Sequence, residues 1–180
     1  MPGVYEIRWL PNGPTEKFYR SRGNYYEFSE SDRLKLHTVP VWCDRCGNFT
    51  EGENLSTVEE IDNQIRDLND PTSEAYRMTR HGSLEKDFGK GESFLQDRLA
   101  ELARRRTWRE ARKSPPKCIY CGSSEIHMFP DGAPGPHPDG GLIQIVCVGM
   151  CSTCFNEWFF TPEGDRIPRD TQPTYWQIRR

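Results

Sequence analysis

The 180-residue chain carries 24 Lys and Arg against 27 Asp and Glu, a formal net charge of −3, and is 34% hydrophobic and 12% aromatic. That length suits one domain, or one core with an insertion, in which aromatic side chains make up for a thin apolar core. A membrane-spanning helix is excluded by the longest apolar stretch, Leu142 to Met150, which contains Gln144 and falls far short of the roughly 20 residues a span needs.

Residues 1–54 read as β. Met1 to Leu10 carries Glu6 and Arg8 where a secretory signal needs an apolar run, so a cytoplasmic protein is expected. Val4 to Leu10 is strand-like and runs into a turn at Pro11-Asn12-Gly13-Pro14. Lys17 to Arg20, Tyr25 to Phe28 and Leu34 to Trp42 are further strands, the last delivering the chain to Cys43.

Residues 55–114 change character and read as a helical insertion. Ser56 and Thr57 precede Glu59 and Glu60 in a capping-box pattern. Val58, Ile61, Ile65 and Leu68 follow at helical spacing until Asp70-Pro71. Thr72-Ser73-Glu74 caps a short helix to about Arg80, and Gly82 to Gly91 reads as loop. Leu95, Leu99, Leu102 and Ala103 put an apolar stripe on a third helix, which Pro115-Pro116 ends. The spacing leaves the arginines of this helix outside.

Residues 115–180 return to β, with strands expected at Glu125 to Phe129, Leu142 to Val148 and Glu157 to Thr161. Pro130 to Gly141, rich in Gly and Pro, reads as a long turn. Tyr175 and Trp176 lie in a polar tail that is expected to dock on the body. The fold class is therefore α+β: a small β scaffold interrupted by helices.

Seven cysteines without an export signal point to metal or redox chemistry rather than structural bridges. Six form pairs with two intervening residues, Cys43/Cys46, Cys118/Cys121 and Cys151/Cys154, and Cys147 stands just before the last pair. Two cysteines so spaced in a tight turn aim both sulfurs at one ion, and two such turns complete a tetrahedron. Gly47 and Gly122 follow the first two pairs, where the turn asks for positive φ. A thioredoxin-type reading needs a strand before the pair and a long helix after it, which β-like surroundings do not offer.

Val41-Trp42-Cys43-Asp44-Arg45-Cys46-Gly47 and Pro115-Pro116-Lys117-Cys118-Ile119-Tyr120-Cys121-Gly122-Ser123 resemble the two knuckles of zinc-ribbon or rubredoxin-like modules. The likeness covers about twenty residues and implies metal, not activity. This chain departs from the compact pattern by placing about seventy residues between the knuckles. Two pairings stay open. In one, Cys43, Cys46, Cys118 and Cys121 share an ion, while Cys147, Cys151 and Cys154 form a second site with His127 or His137. In the other, Cys118, Cys121, Cys151 and Cys154 form a local ribbon. Zinc is the default for four thiolates, with iron the other metal that suits the same tetrahedron.

From Arg98 to Lys113 the chain holds seven basic residues against Glu101 and Glu110, a local charge of +5 that leaves −8 elsewhere. Arg104, Arg105, Arg106, Arg109 and Arg112 could meet nucleic acid or an acidic protein, with Trp108 stacking on a base. The plain alternative is a solvated helix face whose cations favour the C-terminal end. Cys118-x-x-Cys121, His127, His137, Gly140-Gly141 and Cys151-x-x-Cys154-Phe155-Asn156 also resemble the order of zinc-supported HNH nucleases. The likeness stops at His137, which stands between two prolines without a second metal-binding partner beside it. Deaminase, metalloprotease, P-loop and dinucleotide motifs are absent. Ser83, Ser93 and Ser114 have no nucleophile context. The expectation is a zinc-stabilised adaptor that binds another protein, with nucleic-acid binding and an unusual HNH-like nuclease as alternatives.

Overall fold

The structure, a computed structural model, describes residues 3–19, 23–81, 91–129, 132–150 and 158–168. Strand β1 (Gly3–Leu10) alternates as its sequence dictates. Tyr5, Ile7 and Trp9 share one face, while Glu6 and Arg8 share the other and pair at 2.8 Å. β1 lies antiparallel between β2 (Thr15–Tyr19) and β9 (Leu142–Met150), and β8 (Pro134–Pro136) completes a sheet of order β2-β1-β9-β8. The register sets Ile7 opposite Ile145 and Trp9 opposite Ile143. Ile7, Ile143 and Ile145 form a buried cluster against which Tyr5, Trp9, Phe18, Phe49 and Phe129 pack. Each isoleucine so covered contributes about 2 kcal/mol of transfer free energy.

Among the described residues, two three-stranded sheets carry the rest of the β structure. In one, β3 (Asn24–Ser29) lies between β4 (Asp32–Lys35), antiparallel, and β10 (Trp158–Phe160), parallel. In the other, β5 (Thr38–Cys43) lies between β6 (Asn48–Glu53) and β7 (Ile126–Met128), both antiparallel. The expected strand from Leu34 to Trp42 is thus two strands in different sheets, broken at Leu36 and His37. The long turn expected from Pro130 to Gly141 contains β8, whose prolines are tolerated at a sheet edge where no partner requires their missing N–H. Pro130 and Asp131 of that stretch lie outside the described residues.

Among the described residues the helices are α1 (Val58–Asn69), α2 (Glu74–His81) and α3 (Gly91–Ala111). The capping box is formed as expected. Thr57 Oγ1 accepts from the Glu60 amide at 3.1 Å, and the Glu60 carboxylate accepts from the Thr57 amide at 2.7 Å. Ser73 caps α2, its Oγ accepting from the Tyr76 amide. Ile61, Leu68, Leu95 and Leu102 form the buried helical core, with Ile65, Tyr76 and Leu99 against it. The expected loop from Gly82 to Gly91 lies, up to Lys90, outside the described residues, as do Tyr175 and Trp176.

The described residues divide between two compact units, one drawn from Met1–Asn54 and Ser114–Arg180, the other from Leu55–Lys113. Strands and helices together make the fold α+β. Among the described residues no helix is long and apolar enough to cross a membrane.

Candidate metal centre

The β5–β6 hairpin turns through Cys43-Asp44-Arg45-Cys46-Gly47, and the segment before β7 turns through Cys118-Ile119-Tyr120-Cys121-Gly122. Both turns close with the same bond. The Gly47 amide donates to the Cys43 carbonyl at 2.9 Å, and the Gly122 amide to the Cys118 carbonyl at 2.9 Å. Gly47 and Gly122 have φ of +62° and +74°, the left-handed region that glycine enters without steric penalty. The turns are held together by pairing between their flanks. Gly52 of β6 bridges to Cys118, the Ile119 amide donates to the Glu51 carbonyl at 3.0 Å, and Arg45 donates to the Cys121 carbonyl at 3.4 Å. On the other side Ile126 of β7 stands opposite Cys43.

This scaffold brings together one of the two cysteine sets the sequence leaves open. The sulfurs of Cys43, Cys46, Cys118 and Cys121 lie within 4.8 Å of one another, and these four could hold a metal ion. Across the turns Cys43 and Cys121 are 3.5 Å apart, and Cys46 and Cys118 are 3.9 Å apart. A tetrahedral ion with metal–sulfur bonds of about 2.3 Å needs sulfurs about 3.8 Å apart, so the donor set fits. All four are free thiols, as is the exposed Cys147.

Crowding governs the protonation of these thiols. Burial pushes Cys43 up to about 11, against an amide bond from Cys46 that lowers it. Burial and the hydrogen bonds and charge of the other three sulfurs push Cys46 well above the thiol range. Burial also opposes ionisation of Cys121, but the Ser123 amide and hydrogen bonds from the other thiols outweigh it and lower its pKa. Without a cation, burial and the neighbouring thiols hold Cys43 and Cys46 in their neutral form. A divalent ion is what lets several ionise together.

The second expected site is not assembled among the described residues, and Cys151 and Cys154 lie outside them. His127 of β7 is engaged elsewhere: its Nε2 lies 3.1 and 2.9 Å from the two carboxylate oxygens of Asp44. His137 is no partner for Cys147 either. Its amide donates to the Gly141 carbonyl, at the end of β9 that is five residues, about 17 Å, from Cys147. The His137 side chain is 1% exposed and lies between Trp42, Trp9 and Phe49, with ring centroids at 4.3, 4.6 and 5.6 Å. Its Nδ1 accepts from the Asp139 amide at 3.1 Å. The HNH-like reading needs a histidine that faces solvent and substrate, and this one faces rings.

The basic helix also differs from expectation. Arg105 and Arg112 are buried, at 5% and 3% exposed, and Trp108 is 7% exposed under the Arg112 guanidinium. The apolar stripe Leu95-Leu99-Leu102 continues at helical spacing through Arg105, Trp108 and Arg112, so these side chains inherit its inward direction. Spacing is the signal that could have found them. Arg105 donates to Glu101 at 3.1 Å, and Glu101 also accepts from Arg98. Arg106 is bound by Asp62 at 2.6 Å and by Glu110 at 2.7 Å, and Arg109 donates to the Ser56 carbonyl. Arg104 is exposed. From Leu55 to Lys113 the sequence has twelve acidic and twelve basic residues, so the helical unit is neutral as a whole.

Sequence reasoning missed β6 and its two buried acids. Glu51 and Glu53 are 0% and 1% exposed. Glu51 accepts from Asn24, while Glu53 accepts from the Tyr26 hydroxyl at 2.7 Å and from the Lys117 amide at 2.9 Å. Compared with protein-family models, curated proteins and solved structures, the chain matches none.

Proposed function

We propose that this protein is a zinc-stabilised binding module, an adaptor whose metal is structural and whose partner is another protein. The observation that carries the reading is the closed donor set of Cys43, Cys46, Cys118 and Cys121. Four thiolates fill a tetrahedron and leave no position for water or substrate, the pattern of structural zinc. Iron suits the same tetrahedron, but zinc has no redox chemistry and matches a purely structural duty. The metal joins two turns that are far apart in sequence, so its binding free energy becomes folding free energy for the β unit. A reducing compartment such as the cytoplasm keeps such thiols available to the ion.

The two alternatives have less support. A nucleic-acid surface needs cations aimed outward, whereas Arg105 and Arg112 are buried and Arg106 and Arg98 are matched by acids of their own unit. A nuclease needs a placed general base, whereas His137 is enclosed by aromatic rings.

The test is elemental analysis of the full chain with partner capture before and after chelation. Zinc bound at Cys43, Cys46, Cys118 and Cys121, and a stoichiometric protein partner lost with Cys118→Ser, are the expected results. Stable metal-free protein would end the zinc reading. Salt-sensitive nucleic-acid binding or nuclease turnover by the zinc-loaded chain would end the adaptor reading.

A further inference from the structure

The four sulfurs are unequal in their access to water. Cys46 and Cys121 are partly exposed, whereas Cys43 and Cys118 are buried, at 0% and 1% exposed. Four thiolates around a divalent cation carry a net charge of −2. Where solvent reaches a sulfur, water can donate to it and disperse that charge. At a buried sulfur the protein must supply the donor. Cys43 has one in the Cys46 amide. For Cys118 the group at hand is a side chain, the hydroxyl of Thr50, with Oγ1 3.9 Å from Sγ.

Thr50 is well placed for that duty. It is 4% exposed on β6 and stands opposite Val41 in the β5–β6 ladder. The bridge between Gly52 and Cys118 and the bond from the Ile119 amide to the Glu51 carbonyl fix the second turn alongside the same strand.

We infer that Thr50 is a positioning residue of the metal centre, its hydroxyl donating to the metal-bound Cys118 thiolate. In the metal-free protein the thiol proton is available to Oγ1. Once the ion displaces that proton, sulfur can only accept, and the hydroxyl turns to donate. A hydrogen bond to a charged acceptor is roughly twice as strong as one between neutral groups, so it favours the loaded state over the empty one. The inference rests on the tetrathiolate reading above.

The experiment compares wild type, Thr50→Val and Thr50→Ser by competition with a chromophoric zinc chelator and by the spectra of cobalt-loaded protein. Valine keeps the shape and removes the hydroxyl. Its zinc affinity should fall by about 10–100-fold, and its sulfur-to-cobalt charge-transfer band should move to lower energy, because a thiolate without its donor gives up electrons more readily. Serine keeps the hydroxyl and should bind as wild type does. Thr50→Val that cannot be loaded, beside Thr50→Ser that can, is the extreme form of the expected result. Equal losses in both variants would show that the site responds to packing at this position rather than to the hydroxyl, and would overturn the inference. So would a Thr50→Val protein with wild-type affinity and spectrum. Wild type that binds neither zinc nor cobalt would instead refute the metal centre itself.

Discussion

The sulfur of Cys43 lies 3.5 Å from that of Cys121, 78 residues further along the chain. Each turn supplies half a tetrahedron, so losing either half should have the same effect. Cys43→Ser and Cys118→Ser are expected to cost about 3–5 kcal/mol each of zinc-dependent stability, and the double variant little more than either, because the first loss already destroys the site. Exposed Cys147→Ser should change stability by less than about 0.5 kcal/mol. Thermal melts with and without chelator would decide it. Tolerance at Cys43 with severe loss at Cys118 would mean that the two turns do not share an ion.

Loading should be steeply pH-dependent. Cys43, raised from 9.0 to about 11, and Cys46, raised further, keep their protons at neutral pH. Both protons must leave when metal binds, so apparent zinc affinity should rise by about 100-fold or more per pH unit between about pH 6 and 8. Linkage gives the opposite sign for the metal-free fold. The folded state holds the Cys43 proton more tightly than the unfolded chain does, so that contribution is present below about pH 9 and is lost as pH climbs toward 11. Chelator competition and urea titration across pH test both signs. A flat affinity profile would show that the thiols are already ionised.

Gly122 separates backbone strain from crowding. An added Cβ there would meet nothing within 4 Å, yet φ is +74°. Gly122→Ala should therefore cost about 1–2 kcal/mol through the backbone alone, and Gly122→Asn less, because asparagine enters the left-handed region more readily. The parallel series at Gly47 should match. Equal costs for alanine and asparagine in urea denaturation would remove this explanation.

Reversing charge along α3 should sort its arginines by burial. Arg105→Glu sets a carboxylate against Glu101 at a buried position and should destabilise the protein by about 3 kcal/mol or more. Arg104→Glu, on the exposed face, should stay within about 0.5 kcal/mol. Calorimetry of the two variants tests this. Equal, small effects would restore the view of the whole basic run as a solvated surface.

What the sequence discloses here follows the range of the interactions involved. The helices were legible because their signals are local: Thr57 and Glu60 are three residues apart, and Ile61, Ile65 and Leu68 share one face of a few turns. β6 was hidden because Glu51, Gly52 and Glu53 are poor strand formers in isolation. They are stabilised by Asn24, Tyr26 and the Lys117 amide, and by Val41, whose Cγ1 would sit 2.8 Å from any Cβ at position 52. The metal-binding residue types were legible from spacing, but which pairs converge was not. That outcome depends on the bridge between Gly52 and Cys118, a contact between residues 66 apart that no local pattern announces. Arg105 and Arg112 were misjudged through their charge, although their position on the Leu95 stripe is written in the same spacing as the leucines.

The ladder between β1 and β9 has a consequence for how the chain is made. Gly3 pairs with Met150 and Leu10 with Leu142. At synthesis rates of about 5–20 residues per second, roughly 7 to 30 seconds separate the emergence of these strands from the ribosome. During that interval β1 has its hairpin partner β2, but Ile7 has neither Ile143 nor Ile145 to cover it. A nascent hairpin with an apolar face and an unpaired edge is a template for other chains. The yield of soluble protein should therefore depend on how well that hairpin is shielded until the ninth strand arrives.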